Sequence, residues 1–227
     1  MSLLTIYGHS FSYYYQSLIV PISIFIPIGV AVYNYRYINR LFKVLLLYLL
    51  VSGSINLMAI LQSGNNNLPL LHIYTVVEFL FLAVYFVGLN QSRSFRKYSY
   101  LIMAVFPVLC LINVLFFQSK YQFNSYVRPL EALIFICYSL LYFFNSVDTD
   151  TSQSWTNNGF NLINAGLLLY FSGSLFVFIL SNVITFKLSH DAKMLIWNLH
   201  DTFVIVLYLV MAFGFIKWKT STKIYMS

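Results

Sequence analysis

Seven apolar stretches, each long enough to cross a bilayer as a helix, follow one another along this chain with short polar breaks between them. A transmembrane helix takes about 20 mostly apolar residues, because the hydrocarbon layer is ~30 Å thick and a helix rises 1.5 Å per residue. The runs are 13–35, 41–61, 70–89, 98–117, 125–145, 159–182 and 194–216. Lipid offers no hydrogen-bond partner to a backbone amide, so a crossing segment must satisfy its own, which a helix does. A membrane β-barrel would show short segments of alternating polarity instead. The expected fold is therefore all-α: a polytopic membrane protein with one domain, 1–227, built as a seven-transmembrane-helix bundle.

Composition agrees. Hydrophobic residues make up 60% of the 227 and charged residues 8%, against about 25% charged in an ordinary soluble domain. So few charges could not cover a water-facing surface, which excludes a soluble globular enzyme, a fibre and a disordered chain. The breaks are too short for a soluble domain, so any activity is expected within the bilayer, at its edges or through a partner. Asn67 with Pro69, and Asn124 and Ser125 with Pro129, stand where helix caps and first turns belong. Gly64 and Asn65 mark a turn, and Pro21, Pro27 and Pro107 predict bends. Gly166 and Gly173, seven apart, predict close helix contact. Cys110 and Cys137 fall in different runs and are expected to pack as apolar residues.

The basic residues predict an orientation. Arg36, Arg40, Lys43, Arg93, Arg96, Lys97, Lys217, Lys219 and Lys223 fall on one side, while Lys120, Lys187 and Lys193 fall on the other. Nine against three places the N-terminus outside and the C-terminus in the cytoplasm. The net charge of +7 is thus a topology signal, and no nucleic-acid partner is expected, since no basic stripe leaves the membrane edge. No cleavable signal peptide is expected, because the first basic residue is Arg36. Tyr13–Tyr15, Trp155, Trp218 and Tyr225 are placed as interfacial anchors.

Of six acidic residues, Asp148, Asp150 and Asp191 lie between runs, whereas Glu78, Glu131 and Asp201 lie inside them. A charge inside a span costs at least ~2.5–3.5 kcal/mol and marks a functional centre by default. Counting turns from the outer ends puts Glu78 ~12 Å deep, His200 and Asp201 ~10 Å, Glu131 ~9 Å, Asn56 ~8 Å and Arg128 ~5 Å. Residues from runs of opposite direction thus collect in one outer layer, with His72 shallow at its edge. With neutral histidines, three acids and one arginine leave a charge of −2. Such a remainder needs a bound cation, protonated histidines, or carboxyls that stay neutral.

Two functional readings follow. In the first, an outward-facing pocket of Glu78, Arg128, Glu131, His200, Asp201, Asn56 and Trp197 binds or senses a small cationic or amine ligand. Glu78 and Asp201 would hold the positive group. Arg128 would hold an anionic group or a lipid phosphate at the rim, and Tyr74, Tyr138 and Trp197 would form walls. Signal would pass to a cytoplasmic or membrane partner protein. In the second, His200, Glu78 and Glu131 hold a divalent metal for hydrolysis near the outer leaflet. Structural roles stay open beside both. Arg128 and Glu131, three apart, can form an internal ion pair. His200 and Asp201 are ~100° apart around a helix, so one should face the pocket and the other a neighbouring helix.

Comparison with known seven-helix plans narrows the field. The last run contains no Lys, so a retinal Schiff base is excluded. Ile196 and Val204 flank His200 at four residues, where membrane hydrolases of the ceramidase and progestin-receptor type carry a second histidine. The phrases HIYTVVEF at 72–79, VRPLE at 127–131, YFSGSLF at 170–176 and LIWNLHD at 195–201 resemble those of small bacterial seven-helix integral membrane proteins. The resemblance spans most of the chain. It implies the fold and a place in the cell membrane, the bacterial inner membrane, together with contact with membrane lipid; it implies no activity.

Overall fold

The structure, a computed structural model, describes residues 5–6, 9–62, 66–90, 92–147 and 155–226; for 5–6, 9–10, 146–147, 155 and 219–226 it describes the backbone alone. Gly64, Asn65, Asp148 and Asp150 lie outside the described residues, as do the side chains of Trp155, Lys219, Lys223 and Tyr225. Thr5–Ile6 (β1) and His9–Ser10 (β2) pair antiparallel ahead of the first helix. Seven helices long and apolar enough to cross a membrane follow. They are α1 Phe11–Tyr33, α2 Arg40–Leu61, α3 Leu68–Leu89, α4 Arg93–Phe117, α5 Val127–Val147, α6 Gly159–Lys187 and α7 His190–Met226. Most boundaries fall within a few residues of the hydropathy runs. The exceptions are α4, which starts at Arg93, α6, which runs to Lys187, and α7, which runs to Met226, beyond the apolar stretches expected of them.

Several starts have a visible cause. Asn39, Ser92 and Asn158 each accept a hydrogen bond from a first-turn amide, those of Phe42 at 2.9 Å, Phe95 at 3.4 Å and Phe160 at 2.9 Å. The two expected asparagine caps behave otherwise. Asn67 donates across to the Ala59 carbonyl at 3.2 Å, and Asn124 donates to Thr75 Oγ1 at 3.0 Å. Both are drawn into contacts between elements, and the first amide of α3, that of Leu68, donates instead to the Asn66 side chain at 3.0 Å. The prolines act unequally. Pro21 follows a π-helical turn at Tyr15–Ile19, and Pro27 follows a break at Ile24. Each proline lacks the N–H that its helix would need there. α4 passes through Pro107 as regular helix and relaxes into a π turn at Asn113–Phe117.

The packing order is a ring. α1 lies beside α2, α2 beside α3, α3 beside α5, α5 beside α6, α6 beside α7, and α7 closes on α1. α4 stands outside the ring against α3. Phe106 stacks on Phe79 at 3.9 Å, and Phe95 meets Tyr138 of α5 at 4.9 Å. Only 17% of the most apolar window of α4 is buried, against 50% for α3. The outer surface is apolar: Phe116, Phe144, Phe176 and Leu195 are 71–77% exposed. Such a surface is stable in lipid and not in water. At the end opposite the N-terminus, Arg36, Arg40, Lys43, Arg93, Arg96 and Lys97 are exposed. Trp218 is not an isolated anchor there. It donates to the Tyr37 carbonyl at 2.9 Å and packs on Phe42 and Phe160, sealing the ring at that end.

α6 and α7 approach most closely through glycines at a seven-residue interval. A Cβ on Gly159 would sit 2.5 Å from the Gly214 carbonyl oxygen, one on Gly166 would sit 3.0 Å from Val210, and one on Gly173 would sit 2.6 Å from the Phe203 ring. Gly159→Ala is therefore expected to lower stability by ~1–3 kcal/mol, the usual cost of overpacking against atoms that cannot move aside. Gly29→Ala, with nothing within 4 Å of the added carbon, should leave thermal unfolding in detergent unchanged. Equal midpoints for the two variants would show that the α6–α7 contact is not tight.

Candidate functional site

Three charges meet inside the ring. Glu78 projects from α3, and Arg128 and Glu131 from the first turns of α5. Nη1 of Arg128 donates to Oε2 of Glu131 at 2.6 Å and also to Oε2 of Glu78. Nη2 donates to the Tyr170 hydroxyl of α6 at 3.0 Å. Glu78 Oε1 accepts from Tyr48 of α2 at 2.6 Å and from Tyr74 at 2.9 Å. The guanidinium lies over the rings of Phe178, at 4.8 Å, and Tyr74, at 5.3 Å. Four helices thus converge on one cation.

Two expectations change here. Arg128 is not a rim residue awaiting an anion or a lipid phosphate. It is 5% exposed and already bound to two carboxylates. Depth counted from the apolar run places it too shallow, because the connection before α5 folds across that end of the bundle. Glu78, which has no basic residue near it in sequence on α3, takes its counter-charge from α5. The Arg128–Glu131 pair is internal, as their spacing allowed. The triad carries −1, and Oε1 of Glu131 is buried without a partner among the described residues.

Beside the triad, toward the N-terminal end of the bundle, lies a cavity of about 390 Å³. All six ring helices line it, and among the described residues α4 contributes nothing. Of the expected site residues, Asn56, Glu78, Arg128, Trp197, His200 and Asp201 line it; Glu131 does not, being fully buried behind Arg128. Tyr74 and Trp197 form walls as expected, but Tyr138 packs away from the cavity on Phe86 and Phe95. Its place on α5 turns it toward α4.

Asp201 is half-buried and makes no hydrogen bond or ion pair among the described residues. Asn56 is likewise without a partner there. Nδ1 of His200 shares a 2.9 Å hydrogen bond with Ser174 of α6, and its ring packs on Trp197, Phe178 and Tyr170. The adjacent pair therefore divides. Asp201 faces the cavity uncommitted, while His200 is tethered to the next helix and contributes its ring to the wall.

Residues outside the expected ligand-binding set complete the site. Asn124 lines the cavity, and its Oδ1 is buried without a partner among the described residues. Phe123 stacks on Trp197 at 5.1 Å, and both rings line the cavity. Asn182 of α6 holds it there, accepting from its amide at 3.0 Å and donating to its carbonyl at 2.9 Å. His72, expected to be an interfacial side chain, is buried and bonds the Gln122 carbonyl through Nε2 at 3.1 Å. On the opposite wall, Gln16 and Tyr15 of α1 bond Asn198 and Thr202 of α7, each at 2.8 Å. Tyr74 stands four residues before Glu78, a spacing by which its hydroxyl could have been found from the sequence. Tyr48, Tyr170 and Asn124 reach the site from other elements.

The metal reading finds no ligand cluster. Among the described residues, no group of three His, Cys, Asp or Glu is placed to hold an ion. Glu78 and Glu131 already share the Arg128 cation, and the Nδ1 of His200 is bonded to Ser174. Against protein-family models, curated proteins and solved structures, the chain matches none.

The triad makes a definite energetic prediction. Removing one partner of a buried ion pair strands a charge and costs ~3–5 kcal/mol, whereas replacing all members with neutral groups costs far less. Arg128→Met is expected to unfold the protein or lower its stability by that amount. Adding Glu78→Gln and Glu131→Gln to Arg128→Met should recover much of the loss. A triple variant no more stable than Arg128→Met, measured by thermal or denaturant unfolding in detergent, would contradict the charge-balance account.

Proposed function

We propose that this is a membrane-embedded binding or sensory protein that takes a small cationic or amine ligand into the cavity of the helix ring, with Asp201 as the counter-ion. The observation that carries the reading is Asp201 itself, an acid at the cavity with no partner among the described residues. An unpaired carboxylate inside a membrane span is unfavourable even when half-buried, and a cation in the cavity relieves it. Glu78 serves differently from the first expectation. Its oxygens accept from Arg128, Tyr48 and Tyr74, so it orders the cavity floor and leaves the ligand's charge to Asp201. Tyr74 and Trp197 supply an aromatic surface for the ligand's apolar body.

The chain sits in a cell membrane, the bacterial inner membrane, with its N-terminus and the cavity outside and the basic end in the cytoplasm. The nine-to-three division of Lys and Arg supports that orientation. A partner protein in the membrane or cytoplasm receives the signal at the basic end.

Two measurements test this. Phenethylamine should raise the thermal unfolding midpoint of the purified full chain, and Asp201→Asn should abolish the rise. An equal rise in the Asp201→Asn variant would remove Asp201 from the binding role. For orientation, in a Cys137→Ser background, Ser119→Cys should react with a membrane-impermeant maleimide on intact cells. Arg36→Cys should react only after permeabilisation. The reverse pattern would invert the topology.

A further inference from the structure

We infer that the ligand is a hydroxyl-bearing amine, whose ammonium meets Asp201 and whose hydroxyl meets Tyr208 at the inner end of the cavity. The inference rests on the function proposed above and narrows it to a ligand class. α7 is continuous helix through this stretch, and Asp201, Val204, Leu207 and Tyr208 all line the cavity. Residues seven apart on a helix return to nearly the same face, ~10.5 Å along the axis. Asp201 and Tyr208 therefore stand at two depths of one wall, with the apolar side chains of Val204 and Leu207 between them. Such a wall suits a ligand that is polar at both ends and apolar in the middle. An ammonium and a hydroxyl at opposite ends of an arylethyl group span that separation once a hydrogen bond is added at each end.

Tyr208 is 5% exposed, lines the cavity, and makes no hydrogen bond among the described residues. It lies close enough to Glu78 and Arg128 for their charges to act on it, yet neither is free to pair with it. Glu78 accepts from Tyr48 and Tyr74 through Oε1 and from Arg128 through Oε2. Nη2 of Arg128 donates to Tyr170 at 3.0 Å. Tyr170 itself accepts that bond, and its own O–H has no acceptor among the described residues. The inner end of the cavity thus offers two hydroxyls with unused capacity and no uncommitted charge. A neutral hydroxyl both donates and accepts, and so can answer them. A carboxylate fits less well, because the triad beside it carries −1 and its one cation is already shared by two acids. A purely apolar end would cover Tyr208 and leave its hydroxyl bare, which is costly. A site that hydrogen-bonds a ligand hydroxyl discriminates against the analogue lacking it.

The test compares phenethylamine, tyramine and the para-carboxylate analogue of phenethylamine, which share ring, chain and ammonium and differ only at the para position. With the full-length wild type in detergent, titration calorimetry is expected to show tyramine binding about tenfold more tightly than phenethylamine, the scale of satisfying a buried hydroxyl. The carboxylate analogue should bind more weakly than tyramine. In Tyr208→Phe, which removes only the hydroxyl, tyramine should lose its advantage while phenethylamine binds at least as well as to wild type. Equal binding of tyramine and phenethylamine by wild type overturns the inference and leaves the amine-binding reading standing. A tyramine preference that survives in Tyr208→Phe, or a carboxylate analogue that binds best, overturns it equally. If none of the three binds, the function proposed above fails and this inference falls with it. Should Tyr208→Phe fail to fold, the wild-type comparison decides by itself.

Discussion

A single guanidinium shared by two buried carboxylates organises the interior of this bundle. Arg128 is bonded to Glu78 on α3, to Glu131 on its own helix and to Tyr170 on α6, while Tyr48 of α2 and Tyr74 reach the same cluster through Glu78. In an apolar surrounding such a cluster has few alternative partners. An acid or arginine that lost its place would face hydrocarbon, where a bare charge is expensive. The cluster therefore does more to fix which helices are neighbours than to add net stability, since its own desolvation offsets much of its attraction. Apolar packing elsewhere, such as Phe79 between Phe106 and Phe135, is less selective about partner and register.

The glycine seam between α6 and α7 is the second constraint, and it is steric. Gly159, Gly166 and Gly173 let α7 lie close along the first half of α6. That contact sets the height of His200 against Ser174 and leaves Asp201, one residue on, at the cavity. Small residues at helix interfaces have this effect in membranes, where close van der Waals approach drives association. The cavity thus has a rigid side made of α6 and α7, and a more polar side where α1, with its π turn, meets α7 through Gln16, Tyr15, Asn198 and Thr202.

These two constraints divide the polar groups of the layer into settled and unsettled ones. Glu78, Glu131 and Arg128 satisfy most of one another's demand. Asp201 and Asn56 do not find partners among the described residues, and both line the cavity. An acid without a partner among the described residues, placed at that cavity, is the physical basis for the binding-site proposal.

Much of the fold was legible from the order of residues alone. Seven helices, their approximate limits, the glycine interval on α6 and the costly acids at positions 78, 131 and 201 follow from hydropathy, spacing and the rules of a lipid solvent, all of which act within one segment. The pairing of helix with helix is another matter. That Arg128 turns inward to Glu78, that Tyr138 faces α4 and leaves the cavity, that α4 stands outside the ring, and that Asn124 bonds Thr75 where a helix cap was expected all depend on contacts between segments far apart in the chain. Local periodicity says which face of a helix is polar, but it carries no record of which other face it will meet. That choice belongs to the tertiary structure, because the energy of a buried charge is set by its neighbour across the interface and hardly at all by its neighbours in sequence.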